Sequence, residues 1–450
     1  MITLESVVLK PQTTPLPSPL SGSLREFRVV EGSDLLKRIE GFHDWQNRRF
    51  QEGFWPYSRS TDAGPRSACA VSDELGRQTE GVNFGSQDYL SLARHPSIRQ
   101  AAHEAIERCG VHSAGSPAFI GNTSYSIALE RKISEFLRME RTVLFPTGFA
   151  AGFGAIKGLV RSTDHVVMDS LAHVCLQEGA AAATKKVYLF RHLELDWARH
   201  WLRGIRAKDT TNGVLVVTEG LFSMESDTPD IGALADLCHE YDATLMVDVA
   251  HDLGCLGEDG RGHIGLQNML GKVDIVMGSF SKSFASNGGF VATRSRGVQQ
   301  YLRYFSTAGT FSNALSPIQA AVACKAFEII DSAEGASRRG SLMRNILSLR
   351  RKLVAAGMEV YGEPSAIVAV KMGSEALARL VSRELMHTGL VANLVEFPAV
   401  PKGQARFRLQ VMADHTEAQI VAAAAILSSG LQSATAELEA ILHPQYRAIA

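Results

Sequence analysis

Three apolar runs, each closing on ionisable or hydroxyl side chains, constrain the fold of this chain more than any other feature. They are Val214-Leu-Val-Val-Thr-Glu219, Thr244-Leu-Met-Val-Asp248-Val-Ala-His251 and Val273-Asp-Ile-Val-Met-Gly-Ser-Phe-Ser-Lys282. Short runs this rich in Val, Leu, Ile and Met read as strands buried on both faces, the kind that fill parallel sheets covered by helices. The flanking pattern agrees. Helices are expected at 124–139, 149–160, 171–183, 195–207 and 231–241, the last with Asp230 as its N-cap. Further strands are expected at 142–145, 165–168, 187–190 and 289–293. This alternation predicts an α/β fold with a mostly parallel sheet in a large domain at 81–325. A smaller α+β C-terminal domain should follow at 326–450. Its expected elements are helices 337–356, 374–387 and 416–428, and strands 366–371, 391–395 and 405–411. Residues 1–80 read as an N-terminal arm, with four prolines in the first 25 positions. A helix is expected at 33–52, with Leu35, Leu36, Ile39 and Phe42 on one face.

Composition narrows the function. A net charge of −1 on 450 residues leaves no whole-chain attraction for nucleic acid or anionic membrane. Six cysteines lie scattered with no CxxC pair, so neither a zinc site nor a disulfide framework is indicated, and no metal is expected. The start Met1-Ile-Thr-Leu-Glu-Ser lacks the order of a signal peptide, and no apolar stretch is long enough to span a membrane. A cytoplasmic protein with reduced thiols is the expectation.

In an open α/β sheet, ligands bind at the carboxyl edge of the strands. The second and third runs deliver Asp248, His251 and Lys282 to that edge, a set that suits pyridoxal phosphate. Lys282 is the Schiff-base former, its amine made reactive by burial. Asp248 would keep the pyridine nitrogen protonated. His251 would bond the phenolic oxygen, and the small Ala250 leaves room for the ring. Thr147-Gly148-Phe149-Ala-Ala-Gly stands between a strand and a helix, where helix-start amides meet a phosphate. Ser279 could add a hydrogen bond to the same group, and His173 could stack on the ring. The cluster Phe54-Trp55-Pro56-Tyr57 is either a packing plug or part of a substrate entrance.

Taken together, Asp169-x-x-x-His173, Thr147-Gly-Phe-Ala-Ala, Glu219-Gly-Leu-Phe-Ser-Met224, Asp248-Val-Ala-His251 and Ser279-Phe-Ser-Lys282 resemble the α-oxoamine synthases over about residues 80–430. These are fold-type-I pyridoxal-phosphate transferases. The resemblance implies a large domain with a mostly parallel seven-stranded sheet, and a homodimer with shared active sites. It also implies that Glu219 and Ser223 order the site, and that Thr307 serves the phosphate site of the partner subunit. The implied reaction is a decarboxylating condensation of an α-amino acid with an acyl thioester, carried on coenzyme A or an acyl carrier protein. An aminotransferase of the same fold is the alternative. A silent regulatory subunit is another, but such subunits lack the lysine that stands here at 282.

Three positions depart from the family pattern. Gln87 stands where Asn-Asp-Tyr-Leu-Gly would begin. Gly115-Ser116-Pro117 and Ser126 replace an arginine and a histidine. Glu396 occupies the position of the arginine that clamps the amino-acid carboxylate, and glutamate cannot form that bidentate pair. Arg406 is the expected substitute clamp and Arg408 a structural anchor. Glu396 either meets a cationic group on the amino donor or faces away and pairs with an arginine.

Overall fold

The computed structural model describes residues 18–444, so residues 1–17 of the expected arm lie outside the described residues. Its centre is a seven-stranded sheet. In chain order the strands are β1 (Arg141–Phe145), β2 (His165–Asp169), β3 (Val187–Phe190), β4 (Val214–Glu219), β5 (Thr244–Asp248), β6 (Ile275–Ser279) and β7 (Gly289–Thr293). They lie in the order β1-β7-β6-β5-β4-β2-β3. Strands β3, β2, β4, β5 and β6 run parallel, and β7 alone is antiparallel to both neighbours. The expected α/β class and sheet follow from burial on both faces. All residues of β2, β4, β6 and β7 are buried. Successive side chains point to opposite faces. Leu215 and Val217 join the core under the helices Gly148–Leu159 and Val174–Ala183, while Val216 joins the core on the other side.

The C-terminal region centres on strand Ala405–Gln410, flanked antiparallel by Ile367–Gly373 and Asn393–Val395. Helices Ala333–Ala355, Glu375–Thr388 and Glu417–Leu442 pack around it. The strand expected at 391–395 is split in two. Leu390–Val391 leaves this sheet and pairs with Gln78–Asn83, which pairs in turn with Ala68–Ser72. A Cβ at residue 81 would fall 1.9 Å from the carbonyl oxygen of Gly389, so the approach of these strands requires Gly81. The N-terminal hairpin is thereby stitched to the far end of the chain.

Other boundaries need correction. The N-terminal helix spans Glu40–Gln51 after a single 3-10 turn, and buries Trp45, Arg49 and Phe50. Leu35, Leu36 and Ile39 are exposed instead of forming the packed face. Helices Pro96–Cys109, Arg296–Phe305 and Pro317–Ile330 were not expected. The last helix runs on to Leu442, opened by a Thr416–Gln419 capping box. Among the described residues, no helix is long and apolar enough to cross a membrane, and no three metal-ligating side chains are grouped together.

Candidate active site

Register brings the polar strand ends together. Glu219 at the end of β4 lies directly opposite Asp248 at the end of β5, and Asp248 opposite Met277 of β6. These ends open into a cavity of about 270 Å³. Thr147, Gly148, Phe149, His173, Glu219, Asp248, Ala250, His251, Ser279 and Lys282 all line it, with Cys175 and Asn287. Ser223, Thr307, Arg406, Glu396 and Gln87 are not part of this lining. Gln87 belongs instead to a second cavity of about 860 Å³, which meets the first at Ser281, Lys282 and Asn287.

Lys282 makes no hydrogen bond or ion pair among the described residues, and burial holds its amine below the usual lysine range. Burial raises the Asp248 carboxyl, and raises Glu219 well above the ordinary value with Asp248 adding to it. Glu219 accepts a hydrogen bond from the backbone N–H of His173 at 2.6 Å. The His173 ring caps the helix Val174–Ala183. Its Nδ1 accepts from the backbone N–H of Cys175 at 3.3 Å and lies 3.0 Å from the Cys175 thiol. Burial lowers the pKa of this ring, so Nε2 carries its hydrogen.

His251 is anchored by Tyr89, a residue the sequence did not single out. The Tyr89 hydroxyl lies 3.0 Å from His251 Nδ1 and donates to Gln410 Oε1 at 3.2 Å. With its proton directed to Gln410, the hydroxyl accepts from the Nδ1–H of His251. Nε2 is left as the lone-pair nitrogen, and burial keeps the ring neutral. At the start of the helix Gly148–Leu159, the Thr147 side chain accepts from the N–H of Ala150 at 3.0 Å. The first amides of that helix remain open to a ligand. A side chain at residue 148 would fall 2.5 Å from Ser279 Oγ, so Gly148 is required for this close packing.

The two arginines of Arg406-Phe-Arg408 differ in their contacts. Arg406 is engaged, donating to Glu225 Oε2 at 2.6 Å and to the Met224 carbonyl at 3.0 Å. Arg408 is 8 % exposed, yet its Nε and Nη2 have no partner among the described residues. Its Nη1 lies 3.9 Å from Met224 Sδ. Its charge helps to lower the pKa of Lys282, His173 and His251. A buried guanidinium with unpartnered N–H groups suits an anion, although Arg408 is not part of the lining of the smaller cavity.

Glu396 is buried at 4 % exposure. It accepts from Arg49 Nη1 at 3.1 Å and from Arg379 Nε at 2.8 Å. Behind the cavity, His192 donates from Nδ1 to Asp169 at 2.9 Å and from Nε2 to Asp227 at 3.1 Å. Two carboxylates override the cost of burial and push its pKa up to about 10. This cluster ties the segment leading to His173 to the loop that carries Met224 and Glu225.

The sequence model of the family described as aminotransferase class I and II matches residues 79–427. The 8-amino-7-oxononanoate synthase of Thermoanaerobacter pseudethanolicus is 33% identical over 344 residues, or 76% of this chain and 86% of that protein. A Mycobacterium tuberculosis protein provisionally named 8-amino-7-oxononanoate synthase 2 is 33% identical over 387 residues, 86% of this chain. The match takes in 49% of that protein, so the chain spans about half the length of this relative. Among solved structures, the serine palmitoyltransferase of S. paucimobilis with bound PLP and myriocin has a TM-score of 0.82 to this chain at 25% identity. That likeness covers 90% of this chain and 100% of the other.

Proposed function

Because this chain belongs to the aminotransferase class I and II family and, within it, to the α-oxoamine synthases, we propose that it joins an α-amino acid to an acyl thioester with loss of CO2, using pyridoxal phosphate. The observation that carries the proposal is the free, pKa-depressed amine of Lys282 beside Asp248 in one cavity, with Arg408 unpaired nearby. The donor set fits the cofactor. Lys282 would hold it through its amine, Asp248 at the ring nitrogen, His251 at the phenolic oxygen and His173 against the ring face. The open amides at Gly148 and Phe149, with Ser279, would hold the phosphate. When bound, this cofactor draws electrons away from the amino-acid Cα.

The chain's own residues do the rest. Arg408 receives the amino-acid carboxylate through its unpaired Nε–H and Nη2–H. Lys282 Nζ takes the Cα proton, a role that the lowering of its pKa by burial assists. His173 presents Nε2–H towards the growing oxygen of the acyl group, and Glu219 fixes the backbone of that histidine. Arg406 is a brace for the loop at 224–225, and Ser223 belongs to the same loop.

A second copy of the chain completes the assembly. Phe119, Ile120 and Phe311 are each more than 80 % exposed, and Phe149 at the cavity rim is 45 % exposed. Hydrogen bonds from Ser116 to Thr310 and from Ala314 to Gly115 hold the two loops of this patch together. Apolar side chains this exposed call for a cover, and sedimentation at micromolar concentration should give a dimer. The catalytic proposal is tested with the pyridoxal-phosphate-loaded protein, an amino-acid panel and a set of acyl-CoA thioesters. Release of free CoA and CO2 only with both substrates is expected. Conversion of a keto acid in place of a thioester would identify an aminotransferase instead.

A further inference from the structure

Glu396 and the residues it holds lie away from Asp248 and His251, yet they form a continuous structure with the larger cavity. Each Glu396 oxygen grips a different part of the N-terminal segment. Through Oε1 it holds Arg49, whose Nη2 donates to the Phe54 carbonyl at 2.9 Å. Arg49 is also clasped between the rings of Trp45 and Trp55, at 4.7 and 5.2 Å. Through Oε2 it holds Arg379, which donates to the carbonyls of Leu20, Ser21 and Gly22 at 2.8–3.0 Å. Both oxygens are engaged within the chain, and the carboxylate is buried.

Immediately after Trp55 the chain turns into the cavity. Pro56, Tyr57, Ser58, Arg59, Ser60 and Thr61 line the space of about 860 Å³ that reaches Lys282. Tyr57 stands beside Glu396 as well as in this lining, and its phenol is raised by burial first and by that carboxylate next. Arg59 donates from Nε to the Pro56 carbonyl at 3.1 Å, while its Nη1 is buried without a partner among the described residues. Apart from Lys282, Arg59 is the cation of this lining. The wall is therefore a loop, positioned by a buried ion cluster, that brings a guanidinium to the lining of a cavity connected to the reacting lysine.

We propose that Glu396 is a positioning residue for the second substrate: by seating residues 18–57 on the C-terminal region it sets the wall at 56–61 that receives the acyl thioester, and it takes no part in binding the amino acid. This inference rests on the condensation proposed above. The small cavity at Asp248 and His251 is filled by cofactor and amino acid, which leaves the larger cavity for the thioester arm. The phosphate oxygens of that arm suit the cation that Arg59 brings to this lining.

The test uses the pyridoxal-phosphate-loaded full chain, with glycine, alanine and serine as donors and thioesters from acetyl-CoA to palmitoyl-CoA. Glu396→Gln keeps the volume and removes the charge. It should raise the thioester KM at least about tenfold. The donor concentration that half-shifts the cofactor absorption band should stay within about twofold of wild type. An unchanged thioester KM, or an equal loss of donor affinity, overturns the inference. Should Glu396→Gln fail to fold, Arg59→Met leaves the ion cluster whole and should raise the thioester KM to a similar degree; no rise overturns it equally. Absence of CoA release from the wild type with every pair would instead overturn the condensation itself, and this inference with it.

Discussion

The hydroxyl of Tyr89 and the Nδ1 of His251 stand 3.0 Å apart in a fully buried contact that fixes which nitrogen of the histidine faces the cavity. Tyr89→Phe removes the acceptor and leaves an imidazole N–H without a partner. The cost of such an unmet donor is about 1–3 kcal/mol. We expect turnover to fall by about ten- to a hundredfold and pyridoxal phosphate to bind more weakly. Cofactor titration by absorbance and steady-state rates check this; wild-type values for both would remove Tyr89 from the site.

Lys282 is expected to be the point of covalent attachment. After borohydride treatment and digestion, wild-type protein should carry one cofactor adduct on the peptide containing residue 282. Lys282→Ala should carry none while still binding the cofactor through its phosphate. An adduct on the variant would place the attachment at another amine.

Arg406 and Arg408 should separate cleanly. Arg408→Met removes the unpaired guanidinium and should raise the amino-acid KM by about a hundredfold, equivalent to roughly 2.7 kcal/mol of charge-assisted hydrogen bonding. Arg406→Met breaks the pair with Glu225 and should lower thermal stability while the amino-acid KM changes far less. The reverse pattern would make Arg406 the clamp.

His192 makes stability depend on pH in a defined direction. Its pKa is raised in the folded state, to about 10, because Asp169 and Asp227 both favour the imidazolium. The stabilisation is therefore full below the unfolded value of about 6.5 and is lost as pH rises through about 10. Denaturant unfolding of wild type and His192→Gln should differ most near pH 6 and converge at alkaline pH. A gap that widens with pH would contradict the charged state.

Much of this was legible in the chain. Buried parallel strands write themselves as uninterrupted apolar runs, so β2, β4, β5 and β6 and the strand-end groups Asp248, His251 and Lys282 could be read with little ambiguity. Thr147-Gly148 was legible because a strand-to-helix turn against Ser279 leaves no room for a side chain. What escaped was set by partners distant in sequence. Nothing local distinguishes Arg406 from Arg408; Glu225 does, 181 positions away. Tyr89 matters through His251, 162 positions away. Leu35 and Leu36 read as one helical face, yet among the described residues they lie exposed, and the buried face of the next helix turns on a charged residue, Arg49. Periodicity counts apolar residues and cannot anticipate an arginine sealed between two tryptophans.

The stitching of Gln78–Asn83 to Leu390–Val391 has a practical consequence for how the chain is cut. The family match begins at residue 79, which invites a truncation there. Such a fragment would keep every group around Lys282 but lose strand Ala68–Ser72, the partner Arg49 of a buried carboxylate, and one whole side of the larger cavity. Its first exposed feature would be a bare strand edge, prone to self-association. The unit of homology and the unit of folding do not coincide in this chain, and expression or grafting should respect the second.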